Sequence, residues 1–187
     1  MTLRPALVLT SLLLLAACAS APRVSGTAPA AAPESARPKA VVRGDIIIAA
    51  QPTAEDLAAW RADGVRSVFN VRTPAEMADR TVVPFDEAAL AAGLGLVYAE
   101  HGIAGSQGYR PEILDAFAAA VAAGDGPVLL HCGTGARAGL LYAAYAVKYL
   151  GRSPDQAMRD LEPLGLWPLP LERLTGLPLR LEHLEQP

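Results

Sequence analysis

The 187-residue chain holds only two cysteines and three histidines, and aromatic residues make up just 5% of it. Two cysteines cannot build the disulfide framework of a small exported domain. With the histidines they show no ligand spacing, so no metal and no other cofactor is expected. A formal net charge of −3 leaves no basic footprint, which argues against nucleic acid as a partner. No run of apolar residues has the ~20-residue length of a bilayer-spanning helix. The hydrophobic fraction of 52% owes much to alanine and does not signal an integral membrane protein. What remains is length enough for one domain with a real core.

At the amino terminus Arg4 precedes PALVLTSLLLLAA, a short apolar core that reads as a secretory signal. LAAC, residues 15–18, resembles the bacterial lipobox. That resemblance implies a lipoprotein signal peptide over residues 1–18 and lipidation of Cys18. It also implies a membrane anchor through that lipid and a periplasm-facing place in the cell envelope, at the outer membrane if the cell is Gram-negative, since Ala19 stands where aspartate would retain it. The alternative is a plain signal peptide cut after a small residue. Residues 19–40, built of Ala, Pro, Ser and Gly, cannot bury enough surface to offset their ordering entropy and read as a disordered linker. Residues 41–187 form the folded domain.

If Cys18 carries lipid, Cys132 is the one thiol left. It stands in LLHCGTGARAGLLYAAYAV, residues 129–147, where an apolar strand breaks into a glycine-rich turn and restarts as a helix. Such a junction aims a row of backbone N–H groups at one spot, and a thiol at the start of the turn faces whatever anion they hold. A bland buried cysteine has no need of Gly133 and Gly135 within three residues.

The rest of the domain alternates strands and helices. VRGDIIIAA (42–50) reads as an opening strand, GVRSVFNVR (64–72) as a second, LGLVYAE as a third and PVLLH (127–131) as a buried fourth. Helices follow at TAEDLAAW with Thr53 as N-cap, at TPAEMADR with Thr73 as cap and Pro74 at its start, and at DEAALAAGLG. Further helices are expected at RPEILDAFAAAVAAGDG, closed by Gly124, at ARAGLLYAAYAVKYLG, and at SPDQAMRDLEPLGL, capped by Ser153. The tail beyond Leu166 has no readable pattern. The expected fold is a single α/β domain with a mostly parallel sheet flanked by helices. Ligands in such sheets bind beyond the carboxyl ends of strands, where the turn after PVLLH lies.

HCGTGAR is similar to the H-C-x-x-G-x-x-R signature of cysteine-dependent phosphatases, one residue shorter. The short form C-x-x-G-x-R also occurs in rhodanese sulfurtransferases, and NVRTPAEM (70–77) looks like their DVR-x-x-x-E stretch. The order AAQPTAEDLAAWRADGVRSVFNVRTPAE, AALAAGLGLVY, a helix and GPVLLHCGTGARA resembles the bacterial beta-lactamase-hydrolase-like phosphatases over residues 42–150, in which the short loop is usual. The resemblance implies a cysteine-phosphatase-like fold of the dual-specificity kind and an enzyme that hydrolyses a phosphate monoester of a protein or small molecule through a phosphocysteine intermediate.

The chemistry follows from the residue types. Cys132 is the nucleophile, favoured as thiolate by a helix N-terminus, by convergent N–H groups and by Arg137. The N–H groups of Gly133, Thr134, Gly135 and Ala136, with the planar fork of Arg137, hold the phosphoryl oxygens. His131 is read as ordering the loop through hydrogen bonds. Arg72 and Glu76, four apart, read as a local ion pair supporting their turn, Trp60 as core, and Gln51 has no evident role. Two features depart from related phosphatases: Ala138 stands where Ser or Thr commonly assists the leaving thiolate, and EHGIAGSQGYRP contains no aspartate to act as general acid, Glu100 and His101 being the nearest titratable groups. Two other readings stay open: a sulfurtransferase carrying a persulfide on Cys132, and a non-catalytic lipoprotein whose loop binds an anion.

Overall fold

The computed structural model describes residues 38–164 and 174–176. The signal peptide, Cys18, nearly all of the linker and most of the tail after Leu166 lie outside them.

The expected opening strand is a hairpin. β1 (Ala40–Arg43) turns through Gly44 and Asp45 and runs back antiparallel as β2 (Ile46–Ala49). Gly44 adopts a φ of 60°, which a two-residue hairpin turn demands and glycine supplies without strain. An unbroken reading of VRGDIIIAA missed this because the apolar residues on both sides of Gly-Asp look like one run.

The other elements follow in the expected order: α1 (Ala54–Ala62), β3 (Ser67–Asn70), α2 (Pro74–Ala78), α3 (Glu87–Gly93), β4 (Val97–Glu100), α4 (Pro111–Ala122), β5 (Val128–His131), α5 (Ala136–Leu150) and α6 (Pro154–Arg159). Thr53, Thr73 and Ser153 cap α1, α2 and α6, each closing a reciprocal capping box with the residue three positions on. Asp86 caps α3. Five strands form one sheet in the order β1-β2-β5-β3-β4, parallel except for β1. This is the mostly parallel α/β sheet flanked by helices expected from the sequence.

Successive strand side chains alternate between faces, and the two faces carry separate cores. Ile46, Ile48, Phe69, Val128 and Leu130 pack with Phe117 of α4 and Leu141 of α5. Val68, Leu129 and Ala49 pack with Leu57 and Trp60 of α1 and Ala91 of α3. β5, at the centre, is buried along its whole length, as expected of a strand covered on both faces.

The few aromatics are concentrated. Phe117 meets Phe69 edge-on at a centroid distance of 5.2 Å and Tyr145 at 5.3 Å. Phe117→Ala should therefore lower the free energy of unfolding by about 3–5 kcal/mol. Leu150→Ala, at a half-exposed position, should change it by no more than about 0.5 kcal/mol. Urea unfolding of the two variants checks the contrast.

Candidate active site

The turn after β5 is pinned from both sides. Val71 donates its N–H to the His131 carbonyl at 3.0 Å, Cys132 donates to Ala49 at 3.4 Å, and Gln51 donates to the Gly133 carbonyl at 3.3 Å. The chain then turns through Gly135, whose φ of 89° is left-handed, into α5. No side chain caps α5, so the N–H groups of its first turn stay open to an anion, where α1, α2, α3 and α6 satisfy theirs with a side chain.

Cys132 is buried, unpaired and 1% exposed. Its Sγ accepts a hydrogen bond from the Gly135 N–H at 3.2 Å, so the sulfur lies at the floor of the turn. Gly133 and Ala136 are half-buried and Thr134 is exposed. A side chain at 133 would meet the guanidinium groups of Arg137 and Arg72 at 3.8 Å, which puts both cations beside the loop.

Arg137 is held at both terminal nitrogens. Its Nη1 donates to Glu76 Oε2 at 2.8 Å and to the Ile103 carbonyl at 2.9 Å, and its Nη2 donates to Glu76 Oε1 at 2.7 Å. A guanidinium has five N–H donors. Three are thereby used, and the other two, one on Nη2 and the one on Nε, lie along a single edge, the arrangement that grips two oxygens of a phosphate; the Cys132 thiol is a further hydrogen-bond partner of the guanidinium. Glu76 stabilises the guanidinium charge, and Cys132 adds to that effect, which puts the thiol within electrostatic reach of the arginine. In return Arg137 holds the Glu76 carboxyl at about 2, against an ordinary 4.5.

Glu76 thus does more than the expected local pairing. It does meet Arg72 Nε at 3.4 Å, but its main bonds reach across 61 residues to Arg137. Gln51 acquires a role that the sequence did not suggest: its Nε2 donates to Glu87 Oε2 at 2.6 Å and to the Pro52 carbonyl at 3.2 Å, while its Oε1 accepts from Arg72 at 2.9 Å. His131 bonds not to the loop but to Glu87, with Nε2 2.7 Å from Oε1 and both side chains fully buried. Glu87, read only as part of a helix, is the buried carboxylate of the site. Its charge joins burial in raising the pKa of the Tyr98 phenol.

Other residues fall as follows. Ala138 is fully buried in the same core as Cys132. Trp60 is core. Glu100 is exposed at the end of β4, and His101 stacks on Phe69 at 4.8 Å. Tyr109, not singled out from the sequence, is 7% exposed. Burial raises its hydroxyl's pKa, and the charges of Cys132 and Arg137 act on it in opposite directions.

Comparison with known proteins agrees with this fold. The family profile "Beta-lactamase hydrolase-like protein, phosphatase-like domain" matches residues 39–148. Among solved structures the chain is similar to a DUF442 phosphatase-like protein from Shewanella putrefaciens CN-32, at 21% identity and a TM-score of 0.54, covering 67% of this chain and 78% of that one. PTPMT1 in complex with PI(5)P matches at 19% identity and a TM-score of 0.59, covering 70% and 88%. Tk-PTP in the active form matches at 21% identity and 0.55, covering 67% and 83%. No curated protein matches.

Two outcomes test the site. Gly135→Ala forces a left-handed alanine, about 1–2 kcal/mol of strain, and should lower both stability and oxyanion affinity. Glu76 has a carboxyl pKa lowered on folding, so it stabilises the fold above its ordinary pKa, and that contribution fades as pH falls from about 4.5 toward 2. Urea midpoints of wild type and Glu76→Gln should therefore differ at pH 6 and converge only as pH approaches 2.

Proposed function

Because the chain belongs to the beta-lactamase hydrolase-like phosphatase family, we propose that it hydrolyses phosphate monoesters with Cys132 as nucleophile and Arg137 as the phosphate-holding cation. The observation that carries this reading is the Arg137 fork, braced on Glu76 with one edge free, beside a sulfur that already accepts the Gly135 N–H.

In the proposed reaction the phosphate sits against the N–H groups of residues 133–136, of which that of Gly135 also holds Sγ, and against the remaining Arg137 edge. Sγ attacks phosphorus, the S–P bond forms, and the P–O bond to the alcohol breaks with its electron pair leaving on oxygen. Water then attacks the phosphocysteine, releasing inorganic phosphate and the thiolate. The hydrogen-bonded cradle favours the charge that spreads over the phosphoryl oxygens.

The segment between β4 and α4 supplies no carboxylate beyond Glu100. Proton donation by a placed acid typically gives ~10²–10⁴-fold, so leaving groups that need no proton are favoured, and aryl phosphates should exceed alkyl phosphates by a comparable factor. The PTPMT1 complex holds PI(5)P, which makes phosphorylated head groups worth including beside phosphotyrosine.

The test is the full chain in detergent, assayed on an aryl phosphate and on thiosulfate with cyanide. Phosphate release that drops by roughly 10³-fold or more in Cys132→Ser supports the reading. Thiocyanate formation without phosphate release moves the same cysteine to sulfur transfer. Silence on both leaves a binding protein. For the amino terminus the corresponding proposal is a lipid on Cys18 that tethers the domain to the envelope, and palmitate labelling lost in Cys18→Ala is the expected result.

A further inference from the structure

Six side chains from four separate stretches of sequence form one run of hydrogen bonds and one ion pair beneath the loop. His131 Nε2 meets Glu87 Oε1 at 2.7 Å, Gln51 Nε2 donates to Glu87 Oε2 at 2.6 Å, and Arg72 Nη1 donates to Gln51 Oε1 at 2.9 Å. Arg72 Nε lies 3.4 Å from Glu76 Oε1, and Glu76 takes both terminal nitrogens of Arg137 at 2.7 and 2.8 Å. The run therefore begins on the residue before the nucleophile and ends on the arginine of the same loop.

The chemistry of each link is directional. A carboxylate only accepts, and a guanidinium only donates. Between the buried Glu87 and the buried Arg72 the intervening group must donate on one side and accept on the other, which an amide does and a carboxylate, alcohol-free aliphatic or amine does not. The same requirement fixes the orientation of the Gln51 amide. Gln51 also touches the loop directly, through its N–H on the Gly133 carbonyl at 3.3 Å.

We propose that Gln51 is a positioning residue of the phosphate site, the amide that joins the Glu87–His131 pair to the Arg72–Glu76–Arg137 run and so sets the angle at which Arg137 presents its free edge. The proposal rests on the phosphatase reading for its consequence in catalysis, but its geometry concerns oxyanion binding alone. Misplacing a binding fork by a fraction of an ångström is enough to lose affinity, because the fork and the N–H cradle must reach the same oxygens together.

A charge exchange separates positioning from packing. Gln51→Glu sets two carboxylates against each other at the Glu87 link. Glu87→Gln removes the charge that holds His131. The double variant Gln51→Glu/Glu87→Gln restores every link of the run. The new Glu accepts from Arg72 and from the new Gln amide, whose oxygen accepts from His131; the Pro52 carbonyl loses its donor and the Tyr98 hydroxyl meets an amide in place of a carboxylate.

The experiment measures tungstate affinity by calorimetry, kcat and KM on an aryl phosphate, and thermal unfolding, all on the full chain. Each single variant is expected to lose about tenfold or more in tungstate affinity and in kcat/KM, and the double variant is expected to recover most of both. Singles that bind tungstate like wild type, a folded double variant as weak as the singles, or a double variant that does not fold would each overturn the proposal. If a single variant loses its fold, recovery in the double variant decides alone. Wild type that binds tungstate but hydrolyses no phosphate ester refutes the phosphatase reading while leaving the affinity test in force; wild type that binds no tungstate refutes both.

Discussion

A polar group that is taken out of water must find a partner inside the protein, and the end of β5 is where this structure meets that demand most sharply. β5 is covered on both faces, so His131 at its end is fully buried beside Cys132. Without a partner each buried polar group of this kind costs on the order of 1–3 kcal/mol. Glu87 takes the His131 Nε2, while Nδ1 makes no hydrogen bond. Glu87 is itself a buried carboxylate, which calls for Gln51; the Gln51 oxygen then suits the buried Arg72 Nη1, and Arg72 Nε, without a hydrogen bond of its own, lies 3.4 Å from the Glu76 that holds Arg137. The run ends where it can stop, at a partly exposed arginine beside the Cys132 thiol.

Strand alternation explains why these residues gather on one side. Leu129 faces the core under α1 and α3, so His131, two residues on, faces the same way, toward the first residue of α3. Ala49 lies on that side too, and Gln51 continues its direction. Val68 does the same for Asn70, whose amide donates to the Tyr98 hydroxyl and whose oxygen accepts from the Arg72 N–H. Three neighbouring parallel strands thus end in a polar layer that caps one apolar core. Cys132 has the opposite parity and lies with Leu130 in the other core, under α5. One residue of offset divides the nucleophile from its supports.

Local features of this fold were legible because their causes are local. Thr53, Thr73 and Ser153 stand three residues before a side chain that can bond back, and each caps a helix. The loop from Cys132 to Arg137 announces itself through glycine spacing. The hairpin at Gly44 was less visible, since its two strands differ in nothing but the turn between them. The polar run was not legible at all. His131 and Glu87 are 44 residues apart, Gln51 and Glu87 36, and Glu76 and Arg137 61. No periodicity links such positions, and Glu87 in particular looks like any acidic residue in a helix's first turn. Parity could have placed His131 on the α3 side, but not named its partner.

The brace on Arg137 looks at first like a competitor of phosphate, since a carboxylate already holds the arginine. Counting donors argues otherwise. A free guanidinium on a flexible stem gives up about 2 kcal/mol of rotamer freedom when a ligand fixes it. Here Glu76 and the Ile103 carbonyl have fixed it beforehand, and they do so with the donors that face away from the two still free. Glu76 can keep this hold without taking up a proton across any ordinary pH, because Arg137 keeps its carboxyl at about 2. An acidic residue beside an anion site therefore serves the anion: it spends its charge on orientation, and leaves the edge of the fork for the ligand.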